Sequence, residues 1–142
     1  MVFSTVASFV LDNLPEGTLA KWNLLVGFAA IFNTIQSYLT PKLTQRVYSN
    51  SKEVNGLQGR TFGLWTFLSA LVRAYCAYHM SNADIYFICQ CTYYLASFHF
   101  LSEWLLFRSA NMGAGLLSPI IVSTISIIWM AKEKQTYLGL TA

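Results

Sequence analysis

Four long apolar stretches, at about residues 19–39, 61–80, 85–107 and 116–131, constrain this chain more than any other feature. A helix needs about 20 mostly apolar residues to cross roughly 30 Å of hydrocarbon. In lipid, helices satisfy their own backbone hydrogen bonds, and no strand pattern competes with them here. The predicted fold class is an all-α membrane protein. A single transmembrane helical domain covers residues 1–142, with about four transmembrane helices in a compact bundle. Charge points the same way. Only 11% of the residues are charged and 55% are hydrophobic, with a mean hydropathy of +0.46. A soluble domain carries about 25% charged residues to wet its surface. The net charge of +3 is small and the basic residues are scattered, so nucleic-acid binding is excluded.

The ends of the stretches carry boundary signals. Trp22 and Tyr38 flank the first span, where amphipathic rings prefer the headgroup level. The second and third are joined by Ser81-Asn82-Ala83-Asp84, a tight turn that makes them an antiparallel hairpin. The fourth follows Gly113-Ala114-Gly115, carries Pro119 near its start, and ends at Trp129 before Lys132-Glu133-Lys134. Residues 40–60 form the one substantial polar loop, in which Pro41, Asn50, Asn55, Gly56 and Gly59 oppose a long helix. An even number of spans places both termini on one face. The 40–60 face carries Lys42, Arg46, Lys52, Arg60 and Arg108, against Lys21, Lys132 and Lys134 on the other, so the positive-inside rule makes the loop cytoplasmic. Residues 1–14 lack a basic region and contain Asp12, so they do not form a cleavable signal. Phe3, Val6, Val10 and Leu14 fit either a short interfacial helix or a frayed end.

Ionisable and amide side chains inside a span are costly, so each is a functional suspect. Asn33 and Gln36 lie on the first helix, Arg73 on the second, and His99 and Glu103 on the third. Counting along the parallel first and third helices puts Asn33 level with residue 99 and Gln36 near 102. His99 and Glu103 share a helix face. One polar layer of Asn33, Gln36, His99 and Glu103 is therefore expected near the 40–60 face, with Arg60 at its mouth as counter-ion to Glu103. Interhelical hydrogen bonding accounts for such a layer more readily than acid–base chemistry does. Arg73 is expected to snorkel or to form a cation–π contact among Tyr75, Tyr78 and Tyr93.

No metal or cofactor is expected. Cys76, Cys89 and Cys91 lack metal or redox spacing and read as small apolar fillers. The two histidines, His79 and His99, lie on different helices, and Gly113-x-Gly115 falls far short of a nucleotide fingerprint. Ala70, Ala74 and Ala77 form a small-residue stripe that either supports a homodimer or packs inside the bundle. No inverted repeat suggests a transporter.

Several short motifs occur in order along residues 20–130. They include Lys21-Trp22, Phe32-Asn33-x-Ile35-Gln36-x-Tyr38, Leu43-Thr44-x-x-Val47-Tyr48 and Arg60-Thr61-Phe62-Gly63-x-Trp65-Thr66-Phe67. Further along come Phe98-His99-Phe100-x-Ser102-Glu103, Phe107-Arg108, Pro119, Val122-Ser123-Thr124 and Trp129-Met130. In this set the chain resembles the ergosterol biosynthetic protein 28 family. The resemblance implies a non-catalytic scaffold of the endoplasmic reticulum membrane that serves sterol C-4 demethylation. The implied partners are the sterol C-4 methyl oxidase, the sterol-4α-carboxylate dehydrogenase and the 3-ketosteroid reductase. Lys42, Arg46, Val47 and Tyr48 in the basic loop are the candidate docking residues, and membrane lipid or sterol is a candidate bundle ligand. A narrower likeness, His99-x-x-x-Glu103 beside Trp104, is to membrane sterol isomerases, where the pair would act as acid and base.

Overall fold

The computed structural model describes residues 1–139, and within them every regular element is helical. The helices are α1 (Val2–Asp12), α2 (Thr18–Leu39), α3 (Lys42–Val47), α4 (Gly56–Tyr78), α5 (Ala83–Leu105) and α6 (Ala114–Leu138). Two of them, α2 and α6, are long and apolar enough to cross a membrane by length and composition. α4 and α5 match them in length.

The four long helices fall where the apolar stretches lie, with shifted ends. α4 begins at Gly56 rather than at 61, because Asn55 caps it by accepting a hydrogen bond from the Gln58 amide at 3.0 Å. Gly56 and Gly59 are thus helical, contrary to the expected loop. α5 starts at Ala83, where the Asn82 side chain accepts from the amides of Asp84 and Ile85. α6 continues beyond 131 through Lys132-Glu133-Lys134 to Leu138. The 40–60 loop also contains a helical turn and a half, α3. α1 is helical and buries none of its residues, leaving Phe3, Val6 and Phe9 exposed.

Small residues set the closest approach. An added Cβ at Gly27 of α2 would sit 3.3 Å from the Ala70 carbonyl oxygen, and one at Gly63 of α4 would sit 3.1 Å from the Ser37 Cβ. Ala70 and Ala77 are almost fully buried. Of the two roles expected for the stripe, Ala70 and Ala74 take the one inside the bundle, packing against Gly27 of α2. Larger groups join the other helices. Tyr86 Oη of α5 donates to the Met130 carbonyl of α6 at 2.5 Å, and the Ser97 and Ser123 hydroxyls pair at 2.8 Å. Trp22 of α2 donates to Ser126 Oγ at 2.8 Å and lies 6.2 Å from the Trp129 ring. Gly17, at the start of α2, contacts Tyr137 near the end of α6, so these two helix ends share one end of the bundle.

Two apolar clusters result. One gathers Leu19, Cys76, Tyr86, Cys89, Tyr93 and Met130; the other gathers Tyr48, Phe62, Ala96, Phe100, Ala110 and Leu116. All three cysteines are free, with Cys76 and Cys89 fully buried as fillers of the first cluster.

Candidate functional site

The expected single polar layer is divided into two groups. On the α2–α4 side, Asn33 Nδ2 donates to Thr66 Oγ1 at 3.1 Å and Gln36 Nε2 donates to Asn33 Oδ1 at 2.8 Å. The direction of these bonds follows from Thr66, whose hydroxyl donates to the Gly63 carbonyl at 2.9 Å and so accepts from Asn33. Gln36 Nε2 also reaches Ser37 Oγ at 3.1 Å, while its buried Oε1 has no partner.

The second group belongs to α5 and the loops. Tyr48, at the end of α3, is buried and its Oη lies 2.6 Å from His99 Nε2. Burial, with the Glu103 carboxylate adding, pushes the Tyr48 phenol well above its ordinary value. The phenol therefore stays protonated, so this contact is a hydrogen bond between a neutral phenol and the imidazole. Glu103 accepts a short hydrogen bond from Ser109 Oγ, and the Ser109 amide donates to the Glu103 carbonyl at 2.9 Å. His99 and Glu103 thus tie α3 and the α5–α6 connection to α5. Phe62 meets the Tyr48 ring edge-on at 5.8 Å.

Arg60 is not the counter-ion of Glu103. Arg60 lies on the exposed face of α4, and Gln58 lines the small cavity with Glu103. The docking residues also divide. Lys42 and Arg46 are exposed, Val47 packs on the second apolar cluster, and Tyr48 is too buried to meet a partner. Arg73 adopts one of its expected contacts, with its guanidinium carbon 4.2 Å from the Tyr93 ring centroid. It also donates from Nε to Thr92 Oγ1 at 3.1 Å. Sequence reasoning passed over Ser109, Thr66 and Asn23 as partners. They are common polar residues without spacing signals, and only the fold brings them into contact.

Two cavities accompany these groups. The smaller, about 170 Å³, is lined by Tyr48, Gln58, His99, Glu103 and Ser109 among others. It falls below the roughly 300–1,000 Å³ of small-molecule sites. The larger, about 480 Å³, falls within that range and is bounded by α2, α3, α4, α5 and α6. Among the described residues, no three His, Cys, Asp or Glu side chains gather where a metal could sit.

Tyr48→Phe is expected to lower stability by about 1–3 kcal/mol, because His99 Nε2 loses its hydrogen-bond partner in a half-buried place. Limited trypsin digestion should then cut faster at Arg46 or Lys52 than in the unaltered chain. An unchanged cleavage rate would mean that the Tyr48–His99 bond does not hold the 40–60 segment.

Comparison with known proteins follows the same boundaries. A family described as Erg28 like protein matches residues 19–128. Ergosterol biosynthetic protein 28 of Schizosaccharomyces pombe is 70% identical over 135 residues, covering 95% of this chain and 99% of the relative. The protein of the same name in Saccharomyces cerevisiae is 39% identical over 137 residues, covering 95% and 93%. The human ergosterol biosynthetic protein 28 homolog is 40% identical over 114 residues, covering 79% and 81%. No solved structure matches the chain.

Proposed function

The chain belongs to the Erg28-like protein family, and from that premise we propose that it is a non-catalytic, multi-pass scaffold of the endoplasmic reticulum membrane. In this reading it holds the enzymes of sterol C-4 demethylation together: the methyl oxidase, the 4α-carboxylate dehydrogenase and the 3-ketosteroid reductase. The relatives' names carry the link to ergosterol biosynthesis. Tethering suits such a pathway because it raises the effective concentration of each enzyme towards poorly soluble intermediates.

Four spans are part of the proposal. Helices of 22 to 25 residues are about 33–38 Å long, enough for a roughly 30 Å hydrocarbon layer. The outward faces of α4 and α5 favour it too, since Leu64, Leu68, Leu71, Phe87, Leu95 and Phe98 are all exposed. Exposed apolar faces of this extent suit lipid or partner helices better than water.

The observation that carries the non-catalytic reading is the engagement of His99 and Glu103. Each holds a loop through Tyr48 or Ser109, beside a cavity of only about 170 Å³. An isomerase would need that pair free to face a substrate. With almost no aqueous domain, docking is assigned to the membrane helices and to the exposed Lys42 and Arg46.

The test compares His99→Ala and Glu103→Ala with Lys42→Ala and Arg46→Ala in cells, following sterol flux and co-purification of the three enzymes from mild detergent. Loss of flux is expected to track loss of co-purified enzymes for every variant. If His99→Ala or Glu103→Ala abolishes flux while folding and all three enzyme contacts persist, the scaffold reading fails and the isomerase-like one replaces it.

A further inference from the structure

The larger cavity has a charge imbalance in its lining. Arg46 and Arg73 both line it, and among the described residues no Asp or Glu does. Arg46 is exposed in the last turn of α3 and is solvated there. Arg73 is only 7% exposed, and its partners are the neutral Thr92 hydroxyl, the Thr92 carbonyl at 3.5 Å and the Tyr93 ring. A guanidinium carries five donor hydrogens and a full charge, which is costly to bury without an anion. A basic group placed this way inside an apolar helix is a ligand-site signal by default.

The rest of the lining defines the body of a ligand. Val26, Phe62, Phe100, Pro119 and Val122 supply apolar walls, and Ala30 with Ala96 leaves room between them. Phe62 and Arg73 stand eleven residues apart on α4, about 16 Å along a helix, so the space is elongated. α2 and α6 meet through Trp22 and Ser126 near one end, and both line the cavity. Phe32, 66% exposed, also borders it, so the cavity reaches the outer apolar surface of α2. A ligand entering there comes from lipid.

We propose that this cavity binds a carboxylate-bearing lipid, with the carboxylate paired to Arg73 and the apolar body lying along the α2–α6 side. Straight-chain fatty acids and ring-bearing steroid acids share this chemistry. The site is independent of the scaffold reading: a tether can lack a lipid, and a lipid-binding chain can tether nothing.

The experiment uses the purified full-length chain in mild detergent. It is photolabelled with a diazirine fatty acid, with the methyl ester of that acid, and with a neutral diazirine sterol. Saturable labelling by the acid is expected, with the ester weaker by about ten- to a hundredfold because it lacks the charge-assisted bond. Competition by oleate or by lithocholate identifies which acid source fits better. Arg73→Lys should retain labelling within a few-fold, and Arg73→Gln should lose about ten- to a hundredfold. Ala30→Phe keeps Arg73 and fills the cavity, so it too should lose labelling. If Arg73→Gln does not fold, the acid–ester comparison on the unaltered chain and the Ala30→Phe variant decide. Equal labelling by ester or neutral sterol, or no saturable labelling by the acid, overturns the proposal.

Discussion

Tyr93→Ala is expected to be among the most damaging single changes in the molecule, costing about 3–5 kcal/mol as large buried aromatics do when truncated. Tyr93 is fully buried on α5, and its ring lies beneath the Arg73 guanidinium. Its hydroxyl donates to Asn23 Oδ1 of α2 at 2.9 Å. Truncation therefore opens a void, removes a cation–π contact and leaves a buried amide oxygen without its donor. Tyr93→Phe separates these contributions. It keeps the ring and should cost about 1–3 kcal/mol, because the buried Asn23 amide oxygen still loses its donor. Thermal unfolding of the purified chain in one detergent checks both. A Tyr93→Ala protein as stable as Tyr93→Phe would show that the ring packs less tightly than its burial implies.

Gly27→Leu is expected to cost about 3 kcal/mol by forcing apart the seam between α2 and α4, at the upper end of overpacking penalties. The obstacle is backbone. A Cβ at this position would lie 3.3 Å from the Ala70 carbonyl oxygen and 3.6 Å from the Ala74 amide nitrogen. Neither can rotate away as a side chain would. Gly27→Ala is the informative partner, because its tight contact is set against a gain of up to about 1 kcal/mol in helix propensity. It should fall close to neutral, whereas Leu has nowhere to place its branch. The same unfolding measurement decides, and a Leu variant that matches the Ala variant would mean that the helices slide apart at little cost.

The paired effects bear on function through the larger cavity. Its walls are held at fixed spacing by the Gly27–Ala70 seam on one side and by the Tyr86–Met130 and Ser97–Ser123 bonds on the other. A wider α2–α4 seam would move Asn33 and Gln36 away from Thr66 and disturb the network that borders the cavity.

The amino-acid sequence by itself determined the helical class, the order of the four long helices and the tight connection before α5. These are local properties: apolar runs of sufficient length and turn residues between them. It also singled out Asn33, Gln36, Arg73, His99 and Glu103, because polar groups in apolar runs must find partners wherever they end up. Which partners they find was decided by the tertiary structure alone. His99 pairs with Tyr48 across 51 residues and Trp22 with Ser126 across 104, and no spacing rule reaches so far. Helix rotation was equally hidden. Apolar side chains lie on both the inner and outer faces of α4 and α5, so hydrophobic periodicity does not mark an inward side. Arg60, expected inward, faces outward, while Tyr48, expected at the surface, is buried. Packing of small residues and a few long hydrogen-bonded side chains sets those rotations, and these depend on shape matching between segments distant in the chain.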